Sequence, residues 1–106
     1  MSYKFMRILL FFDLPVTTPL ARREYRLFHK HLIKNGFIMM QESVYSKLVL
    51  NPTAAKAVVG NLEKHKPPDG VVQVLTVTEK QYSRMDFIVG EFSSSTIDTD
   101  ERLIVL

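Results

Sequence analysis

Five apolar residues in succession, Ile8-Leu9-Leu10-Phe11-Phe12, stand near the start of the chain. An unbroken run shows no alternation, so residues 6–12 are predicted as a strand buried on both faces. Asp13 closes the run and Leu14-Pro15 stops the element. Thr17 or Thr18 can cap a helix whose first turn holds Pro19. That helix is predicted to run to about Lys34, where Asn35-Gly36 supplies a left-handed stop. Projected at about 100° per residue, Ala21, Tyr25, Phe28 and Leu32 fall within about 60° of one another and form its core stripe.

Two further strands are predicted over residues 37–41 and 43–50. Gln41-Glu42-Ser43 between them is polar but has no glycine turn, so a bulged hairpin and one long strand are both open. Asn51-Pro52 starts a second helix, with asparagine as cap and proline at its first position. It covers residues 53–65 and turns Ala54, Ala57, Val58 and Leu62 inward. Lys66-Pro67-Pro68-Asp69-Gly70 breaks the chain. Residues 71–77, rich in β-branched side chains, are a fourth strand. Residues 78–84 suggest a short helical turn, residues 86–89 a fifth, edge strand, and residues 92–96 a loop. Leu103, Ile104, Val105 and Leu106 suggest a terminal strand that docks on a partner.

The order is β-α-β-β-α-β with C-terminal additions, an α+β, ferredoxin-like arrangement. Both helices cover one sheet face. The bare face predicts a symmetric dimer, sheet against sheet. The 106 residues are expected to form one domain, 1–106, with about 90–106 as a partner-docking tail.

Composition is ordinary for a globular chain, at 46% hydrophobic and 24% charged residues. The apolar runs are far shorter than the roughly 20 residues needed to cross a bilayer, so no membrane role is expected. The absence of cysteine excludes disulfides and thiolate zinc sites, and a cytoplasmic location is the expectation.

Charge changes the picture more. The net charge is +3, but it is unevenly spread. Residues 1–36 set seven cations against Asp13 and Glu24, while residues 86–106 set Arg102 against five carboxylates. A basic front suggests a polyanionic partner. Arg22, Arg26, Lys30 and Lys34 step by four along the first helix, opposite its core stripe, with Arg23 among them. A solvated face is one reading. However, solvated faces usually mix signs, and only Glu24 offers an acidic neighbour here. A phosphate backbone would relieve the repulsion and release counterions.

Asp13, at the mouth of a buried strand, can cap the following turn or ligate a divalent cation. One carboxylate holds Mg²⁺ poorly, since that ion takes about six oxygens. Two copies of Asp13 near a dimer axis could share one ion and activate a water for attack on a phosphodiester. His29 and His31 point roughly 200° apart on a helix, so they do not chelate. His65 stands apart from both in sequence. The serines lack a nucleophile elbow and the four glycines form no phosphate loop. Tyr3, Phe5 and Tyr45 can stack on bases or fill a core.

The ordered stretches Met6-Arg7-Ile8-Leu9-Leu10-Phe11-Phe12-Asp13-Leu14-Pro15, Arg22-Arg23-Glu24-Tyr25-Arg26, Gly36-Phe37 and Gln41-Glu42-Ser43-Val44-Tyr45 resemble the CRISPR-associated protein 2 family over essentially the whole chain. Val74-Leu75-Thr76-Val77-Thr78-Glu79-Lys80-Gln81 looks like its type II variant. The resemblance implies a homodimer with Asp13 as catalytic residue and Mg²⁺ ligand. It implies a metal-dependent endonuclease on single-stranded RNA or, for some members, double-stranded DNA. It also implies a role in spacer acquisition, in which the dimer holds duplex protospacer DNA between two dimers of the CRISPR integrase subunit. Arg22, Arg23 and Arg26, with Lys30 beside them, lie where the family contacts the DNA backbone. Leu103, Ile104, Val105 and Leu106 lie where it docks on the integrase.

Overall fold

Local chemistry sets the element boundaries in the computed structural model, which describes residues 5–90. Strand β1 spans Met6–Asp13. Thr18 opens helix α1, Pro19–Lys34; its hydroxyl accepts from the Ala21 N–H at 3.0 Å. Strands β2, Ile38–Gln41, and β3, Val44–Val49, form a hairpin with an irregularity between Met39 and Gln41. Ser43 takes a positive φ of 67° there, so the tight turn is made without a glycine. Asn51 caps helix α2, Pro52–Lys64, through its side-chain oxygen and the Ala54 N–H at 2.8 Å. Strand β4 is Val71–Thr78 and helix α3 is Glu79–Ser83.

The strands pair antiparallel in the order β2-β3-β1-β4. With the two long helices this is the expected ferredoxin-like α+β sheet. Side chains alternate across it. Ile8, Leu10 and Phe12 of β1 meet Phe28 and Leu32 of α1, Tyr45 and Val49 of β3, and Ala55 and Leu62 of α2 in one buried cluster. Phe12 is its hub: its ring lies 5.5 Å from Tyr25 and 5.7 Å from Phe28, both edge-on, and is stacked on Tyr45 at 5.6 Å.

Three expectations are corrected. β1 is not buried evenly on both faces, because Phe11 points away from the helices and is 37% exposed. On α2 Ala54, Val58 and Leu62 pack on the core as expected, but Ala57 is exposed and Ala55 is the fully buried alanine: Ala55 sits two turns back from Leu62 on the same stripe, and Ala57 falls off it. Residues 86–89 are not a strand. The chain turns at Arg84 after α3, no described strand lies alongside, and Ile88 and Val89 are 91% and 90% exposed.

The second sheet face is also not wholly bare. Tyr82 of α3 is buried, its ring 4.2 Å beneath the Arg7 guanidinium and its hydroxyl 3.7 Å from the Met40 sulfur. Arg7 in turn grips Glu79 through two bonds, Nε to Oε1 at 2.8 Å and Nη2 to Oε2 at 2.6 Å. α3 is thus clasped over the Leu9 end of that face, and Leu9 is only 9% exposed. Among the described residues no helix is long and apolar enough to cross a membrane. The expected loop at 92–96 and the terminal strand at Leu103, Ile104, Val105 and Leu106 lie outside the described residues, as does Tyr3.

Candidate nucleic-acid interface and metal ligand

Asp13 is the last residue of β1, paired with Val71 of β4. Phe12 and Leu14 on either side of it are buried, so alternation turns Asp13 to the face that carries Phe11. Its side chain is exposed, and it does not cap the following helix, since Thr18 does. The carboxylate is therefore uncommitted to structure, while its backbone is tightly held. Gly70 comes so close that a Cβ there would lie 2.6 Å from the Asp13 carbonyl oxygen and 2.7 Å from Leu14 Cδ2. With φ at +93°, Gly70 holds a conformation that other residues rarely adopt.

Among the described residues no group of three or more metal-ligating side chains comes together. The oxygen of Asp13 suits a hard cation, but one carboxylate cannot complete a Mg²⁺ site. The donor set fits only if a second copy supplies another Asp13. Such a pair with several waters is what that ion usually accepts. His29, His31 and His65 contribute nothing to it. His29 Nδ1 is hydrogen-bonded to the buried Tyr45 hydroxyl at 2.5 Å. His31 stacks on His65 at 4.3 Å between centroids, and its Nε2 lies 3.2 Å from Asn61 Oδ1. Tyr45 is core rather than a base-stacking platform. Burial, followed by the nearby Tyr25, pushes its phenol above the ordinary tyrosine value.

Arg22, Arg23, Arg26, Lys30 and Lys34 are all exposed on α1. Arg22 Nη1 donates to the Val16 carbonyl at 3.1 Å, which ties the guanidinium to the turn entering the helix. The first turn of α1 contains no acidic residue. Arg22 and Arg23 near this end stand against the sign of the helix dipole, which favours carboxylates there. Among the described residues the ion pair is Arg7–Glu79, so none of the α1 cations is neutralised. A row of exposed, uncompensated cations fits the regularly spaced anions of a nucleic-acid backbone, independent of base sequence.

Sequence reasoning missed the clasp of Arg7, Glu79 and Tyr82, the backing of Asp13 by Gly70, and the meeting of His31 with His65. The first had a signal. Arg7 alternates with Ile8 and so belongs to the second sheet face, where a lone cation needs a partner. The glycine in Pro67-Pro68-Asp69-Gly70 was legible as a turn, but not as the residue lying against Asp13.

Comparison with known proteins places these features in context. Residues 6–85 match the model of a family described as CRISPR associated protein Cas2. A protein of Treponema denticola named CRISPR-associated endoribonuclease Cas2 is 59% identical over 101 residues, spanning 95% of this chain and all of that protein. One of the same name from Streptococcus mutans is 46% identical over 95% of this chain and 93% of its own length. Among solved structures, Streptococcus pyogenes Cas2 superposes with a TM-score of 0.58 at 17% identity, covering 78% of this chain and 99% of that one. A second Cas2 crystal structure gives 0.56 at 20% identity, with 94% and 99% covered. These two likenesses bear on the fold alone.

Proposed function

The chain belongs to the CRISPR-associated Cas2 family, and from that premise we propose that it acts in spacer acquisition as a homodimer that holds duplex DNA by its phosphates. The dimer bridges CRISPR integrase dimers, which perform the strand transfer. The observation that carries this reading is the row Arg22, Arg23, Arg26 and Lys30 on α1, exposed and without ion-pair partners among the described residues. Duplex DNA presents one charge per roughly 1.7 Å of axis. Several cations on a rigid helix can follow it with little ordering cost. The tail residues Leu103, Ile104, Val105 and Leu106 are the proposed integrase contact, as the family resemblance implies.

Replacing Arg22, Arg23 and Arg26 together by alanine tests the reading in the purified protein. Affinity for duplex DNA should fall alike for unrelated sequences, and the slope of log affinity against log salt should flatten by about three, roughly one per lost contact. An unchanged slope contradicts it.

A second reading is Mg²⁺-dependent cleavage of single-stranded RNA, or of double-stranded DNA, with Asp13 as catalytic residue and metal ligand. It is favoured by the exposed, uncommitted Asp13 carboxylate and by the endoribonuclease name of the relatives. Two Asp13 side chains, one from each protomer, would hold the ion. When bound, Mg²⁺ supplies an activated water and charge stabilisation at the phosphorus. This chain's own contribution is to fix Asp13 through the Gly70 contact and to bring the phosphate close along α1.

A further inference from the structure

Lys47 stands apart from the other cations. It belongs to the helix-facing side of β3, where it pairs with Ile8 and sits half-buried. Its Nζ reaches over Gly36 so closely that a Cβ on that glycine would lie 2.6 Å away. Gly36, at φ +89°, therefore ends α1 and makes room for the ammonium. Among the described residues no carboxylate or carbonyl pairs with it. The stem of Lys47 is thus packed against the domain while its charged head stays at the surface without an acidic neighbour.

Lys47 lines a half-open cavity of about 280 Å³ together with Asn35, Asn61, Phe37, Val58 and Leu62. No carboxylate lines this cavity. The hydrogen bonds orient the amide. Asn61 Oδ1 can only accept, so His31 Nε2, 3.2 Å away, carries the proton. Asn35 Nδ2 donates to the His31 backbone carbonyl at 2.8 Å and lies against the imidazole, 3.3 Å from Nδ1 and 3.5 Å from Nε2. With its oxygen used by His31, Asn61 has its NH₂ left to donate. An ammonium and an amide donor lining one cavity with apolar side chains is the chemistry of an oxyanion seat.

The cavity also lies where the α1 row leads. Four residues turn about 400°, so each step from Arg22 to Lys34 drifts about 40° around the helix. The drift ends toward α2, since His31 already reaches Asn61 of α2 one turn before Lys34. We propose that this cavity seats one backbone phosphate of the DNA at the far end of the α1 row, bound by the Lys47 ammonium and the Asn61 amide. The source of that phosphate rests on the duplex-holding role proposed above.

Two single substitutions test it in the full-length protein: Lys47→Gln, and Asn61→Asp, which sets a carboxylate where the amide would donate. Each should weaken duplex binding about tenfold, as the loss of one charge-assisted hydrogen bond would. Lys47→Gln should also lower the salt slope by about one. Thermal midpoints show whether each variant is folded, and Asn61→Asp carries the test if Lys47→Gln is not. Titration with inorganic phosphate, followed by the Asn61 side-chain amide signal, separates the two sources of phosphate. A shift in that signal with unchanged DNA binding by Lys47→Gln means a free anion site, and overturns the assignment to DNA. If the α1 triple alanine variant weakens binding while Lys47→Gln and Asn61→Asp do not, the seat falls and the duplex-holding role stands. If none of them changes binding, both fall.

Discussion

Tyr45 shows how single residues couple the core to the surface of this fold. Its ring is fully buried against Phe12, and its hydroxyl reaches out to His29 on α1. The folded chain holds the phenol proton to higher pH than the unfolded chain, whose tyrosine titrates near 10.0. The native state therefore binds more protons just above that value, so stability is intact below pH 10 and falls as pH rises past it. Tyr45→Phe should cost about 1 kcal/mol near neutrality, through the lost hydrogen bond, and should abolish the alkaline fall. Urea midpoints at neutral and strongly alkaline pH measure both. Asp13 was legible in the sequence because a carboxylate ending an apolar run is conspicuous. Lys47 was not, because only tertiary packing sets a β3 lysine over a helix-terminal glycine.

Among the elements, α3 was read correctly along the chain but not in space. Its existence was legible, and the pattern Thr78-x-x-Gln81 encodes the capping box that starts it: Gln81 N–H donates to Thr78 Oγ1 at 3.0 Å, and Thr78 N–H donates to Gln81 Oε1 at 2.8 Å. Its position was not legible, because the contacts that fix it span most of the chain. Arg7 and Glu79 are 72 residues apart. The pair is bidentate and partly shielded by Tyr82, with side-chain exposures of 16% and 31%. It should sit near the upper end of exposed pairs, so a double-mutant cycle with Arg7→Met and Glu79→Gln should give a coupling of about 1 kcal/mol. A coupling near zero means that α3 is held by Tyr82 packing alone. The long helices α1 and α2 were readable to within about a residue because proline and a capping side chain mark both starts. The supposed strand at 86–89 failed for the opposite reason. Its apolar, β-branched composition says nothing about whether a neighbouring edge is free.

For the whole molecule, the uneven covering of the second sheet face matters most. α3 shields Arg7 and Leu9 on β1, while Leu48 and Leu75 on the flanking strands, with Phe11 and Ile38, remain exposed. Alternation sets Phe11, Leu48 and Leu75 on one side of neighbouring strands, an apolar patch of the kind that marks an interface. Asp13 stands at the end of that patch, so a two-fold axis passing near that end would bring the two carboxylates toward one another. Leu75→Arg should shift the protein to monomer in sedimentation velocity at micromolar concentration, while a monomeric parent protein contradicts the paired arrangement. The antiparallel sheet and its helices followed from the apolar pattern. The pairing could only be expected from the bare face. The central claim, that the chain serves by gripping DNA and not by cutting it, is tested most directly by counting new spacers in cells that carry Asp13→Asn or the Arg22, Arg23 and Arg26 triple alanine variant. The account predicts acquisition near the parental level for Asp13→Asn and its loss for the triple variant. Loss with Asp13→Asn, alongside continued acquisition by the triple variant, would contradict it.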